Sequence, residues 1–320
     1  WSVDLVVSQF SPGDAAANFG GFIETSDPTV AGAHPLYTGG DGSQSMLSTG
    51  LGALGWGSFG ANAYNRSSGL GSVAMGFNTI AGPQDTQAGG ISGDNVGQFS
   101  AGYASRAIGN VSTATGFRNT ASGGSSVALG NYNYATGDAT IALGKENWAE
   151  GASTVAVGFK NHAAGAGSVA LGQENIAWGT TNFTSGYQNV AGDTNAIVGT
   201  AGSATAIGEG TKASGRSSFS ANKNTTATNH ASAALGLSTT ADNFGMLAIG
   251  VNNASGIGDT SIDPDNFGGY FYADGSYTGT TAGVAFVIGN GDINTSNGLA
   301  GNNPSNAFVV NYDGSATLSG

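Results

Sequence analysis

No cysteine occurs in this 320-residue sequence, so disulfide staples and thiolate metal sites are excluded. Proline is scarce: there are six, and none falls between Pro83 and Pro264. That long stretch can therefore donate a backbone N–H at every residue. Charged residues make up only 9% of the chain, against about 25% in ordinary globular domains. Basic residues are fewest. Eight Lys/Arg face twenty Asp/Glu, giving a net charge of −12. All eight cations lie between Arg66 and Lys223, so both ends are purely acidic. A chain without a dense basic face is a poor partner for nucleic acid. Anionic membrane surfaces are disfavoured for the same reason. No apolar run approaches the length of a membrane span, about 20 residues, so no direct membrane insertion is expected. The chain opens on Trp1 without a signal peptide, which reads as a processed chain or a fragment.

Catalytic chemistry is equally sparse. The three histidines are His34, His162 and His230. His162 and His230 fall at repeat positions where other rungs carry Tyr134, Trp148 or Ile176, and they read as surface turn residues. The serines have no partner base and no Gly-x-Ser-x-Gly elbow. With 57 glycines, phosphate-loop patterns arise by accident. No catalytic residue and no cofactor is expected, and the chain reads as a non-enzyme. Asp259, Asp263, Asp265 and Asp274 supply oxygen ligands of the kind calcium takes, but their spacing matches no known loop and no metal site is assigned.

What is abundant is glycine, well over twice the usual share of about 7%, and it recurs at a fixed interval. Gly102, Gly116, Gly130, Gly144, Gly158, Gly172 and Gly186 are each 14 residues apart. A second series follows seven residues behind at Gly109, Gly123, Gly137, Gly151, Gly165 and Gly179, each preceded two residues earlier by alanine. Asparagine holds a further slot at Asn119, Asn133, Asn147, Asn161, Asn175 and Asn189. Collagen is excluded, because glycine is not every third residue.

Before each first-series glycine the residues alternate, as in Ser126-Val127-Ala128-Leu129 and Thr154-Val155-Ala156-Val157. A period of two means a β-strand, with Val, Ile and Leu on one face and small residues on the other. The Asn-x-Ala-x-Gly stretch supplies turns, since Asn and Gly tolerate positive φ. Each 14-residue rung then holds about two short strands and two turns. Rungs stacked in parallel pair every backbone with the rung above and below. The expected fold class is all-β: a parallel β-roll, or solenoid, of 14-residue rungs, elongated in shape. Glu146, Lys160 and Glu174 occupy equivalent slots and read as a charge ladder that fixes rung register. The slot after the glycine holds Tyr103, Phe117, Phe159 and Tyr187, aromatics that fit stacked packing or glycan contact.

The periodicity is interrupted twice. Gly76 to Gly102 reads as about two rungs with a deletion, and 83–97 as a loop leaving the stack. Near 193–203 the phase slips, which predicts a bulge or an irregular rung. Three regions result: an attachment or capping segment at 1–45, the repeats at 46–256, and a C-terminal β segment with an aromatic loop at 257–320. In the last, Tyr270, Phe271, Tyr272 and Tyr277 form the densest aromatic cluster and are the receptor-contact candidates. Two strands flanking a loop are expected there, at 284–291 and 305–317.

A thin rung cannot turn all its apolar residues inward. A lone roll would expose a stripe longer than monomers tolerate, so association along its length is expected. The Ser-Val-Ala-Leu-Gly-x-x-Asn-x-Ala-x-Gly rung, from about Ser58 to Gly256, resembles the YadA-like head repeat of trimeric autotransporter adhesins. It is also similar to head repeats of phage tail fibres. That resemblance implies a left-handed roll, a homotrimer, an extracellular location and attachment to a cell-surface receptor, glycan or matrix. The segment 284–317 resembles those preceding an intramolecular chaperone domain in tail fibres and surface proteins, which tilts the expectation from a bacterial surface adhesin towards a virion fibre. Such a domain would lie beyond Gly320, or has been cleaved. A filament or spacer subunit without a receptor is the competing reading.

Overall fold

A computed structural model describes residues 44–46, 52–53, 58–62, 64–82, 96–192, 202–256, 284–294, 299–301, 303–312 and 314–319. Among these there are strands and turns but no helix. The fold is an all-β solenoid of about 12 turns with ~14-residue rungs. Its residues divide into two compact units, Trp1–Leu129 and Gly130–Gly320.

In the second unit a typical rung has a five-residue strand, Val155–Phe159, and a two-residue strand, His162–Ala163. Val155–Phe159 lies parallel between Ile141–Lys145 and Val169–Gln173, with Gly158 opposite Gly144 and Gly172. His162–Ala163 lies parallel between Trp148–Ala149 and Ile176–Ala177. Hydrogen bonding continues around the corners: Lys160 N–H donates to the Lys145 carbonyl at 3.0 Å and Glu174 N–H to the Phe159 carbonyl at 2.8 Å. The first unit repeats the pattern. There Phe99–Tyr103 lies parallel to Thr113–Phe117, and Arg106–Ala107 to Thr120–Ala121.

The interior of a rung is built from small residues. Thr154, Ala156, Asn161 and Ala163 are buried to within 1%, as are Ser168, Ala170, Asn175 and Ala177 one rung on. The branched residues of the long strand face outward, as alternation requires. The asparagines do not serve as the sequence suggested. The residue with positive φ is the one before each: Glu146 (57°), Lys160 (55°), Glu174 (56°) and Gln188 (55°). The asparagine itself turns inward. Asn161 Nδ2 donates to the Val157 carbonyl (2.9 Å), the Gly172 carbonyl (2.7 Å) and Asn147 Oδ1 (3.0 Å). Its Oδ1 accepts from Asn175 N–H at 3.0 Å and Asn175 Nδ2 at 3.1 Å. The same contacts run from Asn133 to Asn189. Thr211 then continues the column by donating its hydroxyl to Asn189 Oδ1 at 2.6 Å. In the first unit Asn65, Thr79, Ser105 and Asn119 hold the slot, and Thr79 bonds Asn65 Oδ1 at 2.7 Å. The buried polar atoms of this column thus satisfy one another and the turn backbone.

The two glycine series are required for different reasons. Gly158 has φ +123°, and a Cβ there would also strike the Gly172 carbonyl oxygen. Gly165 has no positive φ. It is glycine because a Cβ would collide with the backbone of Gly179 in the adjoining rung.

Both interruptions are simpler than the sequence suggested. Val73–Phe77 pairs directly with Phe99–Tyr103, Gly76 opposite Gly102. The interval is therefore one rung carrying an insertion, not two rungs with a deletion. Phe183–Tyr187 likewise pairs in register with Thr205–Glu209, Gly186 opposite Gly208, so the strand ladder itself has no bulge there. Residues 83–95 and 193–201 lie outside the described residues, as does most of 1–45. Within 44–46 a strand, Gln44–Met46, pairs parallel to Phe59–Ala61. At the other end Val284–Asn290 adds to Leu247–Val251 in parallel, and Asn306–Asn311 and Ala316–Leu318 follow antiparallel. Met246, Val284 and Val287 bring larger side chains into the core at that point.

Two outcomes test this interior. Ala163→Leu should destabilise the roll by about 1–3 kcal/mol or more through overpacking, read from chemical denaturation. Asn161→Asp places a carboxylate against the Val157 and Gly172 carbonyls, so burial and those dipoles raise its pKa. The acid form keeps an O–H donor. Stability of this variant should therefore be greatest at about pH 4 and fall as pH rises through the raised pKa, read from thermal melts.

Candidate binding surface

With the interior closed, chemistry is confined to the outward positions. On the long strands of the second unit these include Ile141, Val155, Val157, Leu171, Ile207 and Leu247, with Ser185 and Thr205 among them, all half-buried or exposed. They form a mostly apolar stripe with no partner in the single chain.

A second line of side chains stands at the end of the long strands. In the first unit Phe77 and Tyr103 stack with centroids 5.5 Å apart, and Tyr103 and Phe117 at 5.1 Å, both 9° from parallel. Parallel in-register pairing brings these rings together, because partner residues of adjoining rungs sit one strand spacing apart. In the second unit the same slot holds Phe159, with Lys145 Nζ 5.3 Å and Lys160 Nζ 5.1 Å from its ring centroid. At the neighbouring turn position Lys160 lies 3.8 Å from Glu146, so the charge ladder is present on that side. Glu174 instead accepts from Gln188 Nε2 at 2.8 Å. The hydrogen bonds from Gln188 and Gln173 hold its carboxyl below the ordinary range, helped by the positive charge of Lys160.

The third line is on the short strands: Tyr134, Trp148 and His162. Tyr134 and Trp148 are 5.7 Å apart and tilted by 46°, whereas Trp148 and His162 are 5.5 Å apart and within 26° of parallel. Trp178 meets the other side of His162 edge-on at 5.1 Å. His162 is therefore a strand residue with a side chain only 21% exposed, not the surface turn residue the sequence suggested. Its Nε2 lies 3.1 Å from Glu150 Oε2. His230 does occupy a turn. The spacing of 134, 148 and 162 was the available signal for this ladder.

Tyr270, Phe271, Tyr272, Tyr277, the four aspartates from Asp259 to Asp274, and His34 lie outside the described residues. Among the described residues no group of three His, Cys, Asp or Glu could hold a metal ion. Among the described residues no helix is long and apolar enough to cross a membrane.

A family model of the YadA head domain repeat matches residues 101–133, 121–147 and 149–175. Residues 101–175 are YadA head domain repeats. They include the column from Asn119 to Asn175, the rings of Tyr134, Trp148 and His162, and the charge ladder from Glu146 to Glu174. YadA-like heads are parts of surface-exposed adhesins and form homotrimers in general. No curated protein matches the chain.

The charge ladder of the YadA-type rungs gives a third test. Lys160→Glu would set three like charges one strand spacing apart. A loss of up to about 1 kcal/mol is expected, shrinking at high salt, since exposed pairs contribute about 0–1 kcal/mol.

Proposed function

We propose that the chain is a non-enzymatic attachment fibre: an extracellular homotrimer of left-handed rolls that engages a cell-surface receptor, glycan or matrix. The observation that carries this reading is the run of YadA head domain repeats at 101–175. The unpartnered apolar stripe on the long strands supports it physically. Three copies of one stripe, closed by cyclic symmetry, remove it from water. Each fully covered Leu or Val contributes about 1.5–3 kcal/mol, repeated rung after rung. Three equivalent outer faces then give avidity from weak contacts. Asparagine and glycine slots hold the turns, and the outward positions are free to vary for recognition. The repeats favour a bacterial surface adhesin, while a virion anchor rests on the C-terminal resemblance alone.

Sedimentation and attachment assays test the proposal together. The purified chain should sediment as a trimer and bind host cells. Leu171→Lys with Val157→Lys should shift it towards monomer while leaving circular dichroism unchanged. A wild-type monomer would contradict the assembly. A trimer that attaches to no cell would favour the spacer reading.

A further inference from the structure

The tilt between Tyr134 and Trp148 has no structural necessity. Beside this tilted pair lies an open depression of about 320 Å³, lined by Tyr132, Tyr134, Glu146 and Trp148. Trp148 is 47% and Tyr134 39% exposed, the largest aromatic surfaces on the short strands. We propose that this depression is a binding site for a neutral glycan, one pyranose resting on the exposed faces of the two rings. The proposal rests on the attachment reading and names the partner chemistry for it.

The electrostatics select the ligand. An aromatic depression with a carboxylate suits an organic cation in general. Here, however, Glu146 is already flanked by Lys145 Nζ at 3.4 Å and Lys160 Nζ at 3.8 Å. A cation would meet two ammonium groups, and an anion would meet the Glu146 carboxylate. What remains is a rim carrying both hydrogen-bond donors and acceptors, the carboxylate and the ammonium groups side by side. A sugar presents the matching surface. Its ring C–H groups carry slight positive charge and pack on the negative faces of the rings. Its hydroxyls donate to Glu146 and accept from the lysines. The site lies on the short-strand side of the rung, at positions other than those of the long-strand stripe assigned to trimer contact.

Saturation-transfer NMR on the full chain tests this with cellotetraose, maltotetraose and N-acetylchitotetraose as neutral probes, and choline and sialyllactose as charged ones. Transfer to ring protons of at least one neutral probe is expected. Trp148→Ala should lower that affinity at least tenfold and Glu146→Gln several-fold. Trp148→Phe, which keeps a ring in the ladder, should retain part of it. Tyr187→Ala, an exposed ring elsewhere, should leave it unchanged. Silence from every neutral probe, preference for choline or sialyllactose, or binding that survives Trp148→Ala would each overturn the site. Host-cell attachment measured in parallel separates the two readings. Attachment without sugar binding sinks only the sugar site, and sugar binding without attachment sinks only the fibre role.

Discussion

The space inside a rung admits methyl groups, a hydroxyl and one amide, and the rest of the structure follows from that limit. Two alanines, a serine or threonine and an asparagine close the interior of rungs such as those at 154–163 and 168–177. Aromatic and most branched side chains of these rungs stand outside. Cohesion therefore comes from backbone pairing between rungs and from the asparagine column, which satisfies the turn carbonyls and the N–H of the next rung. The hydrophobic effect, which stabilises ordinary domains from within, is displaced to the outer surface. There it is available only to a partner.

In the proposed function, that displacement lets one architecture combine a self-associating face with a recognition face. Outward positions on the long strands are mostly apolar, with Thr113, Thr115, Ser185 and Thr205 as exceptions. Those on the short strands and at the turns vary from rung to rung: Tyr134, Trp148 and His162, then Ile176, Val190 and Lys212. Any outward substitution leaves the interior untouched, so recognition can be altered without refolding the roll. The in-register parallel ladder turns such substitutions into rows, because equivalent residues stack at one strand spacing.

Much of this was legible from spacing alone. Glycine every 14 residues, alternation before each glycine and the absence of proline imply parallel rungs, and the strands Val155–Phe159 and Val169–Gln173 sit in that register. The asparagine column was not legible in its true role. Composition associates Asn with positive φ, but the turn imposes that φ on the preceding residue, whatever its type, and sends the amide inward. His162 was misplaced for a related reason. Its slot looked like a turn only because a two-residue strand is too short for alternation to show. The interval from Gly76 to Gly102 misled because length counts residues, and an insertion in one rung has nearly the length of two.

The most direct measurement of the central claim is residue-resolved hydrogen exchange across 133–190. If the asparagine column seals the turns, the N–H groups of Asn147, Asn161, Asn175 and Asn189 will exchange as slowly as those of the strands beside them. Fast exchange at those four amides, with protection confined to the five-residue strands, would contradict it.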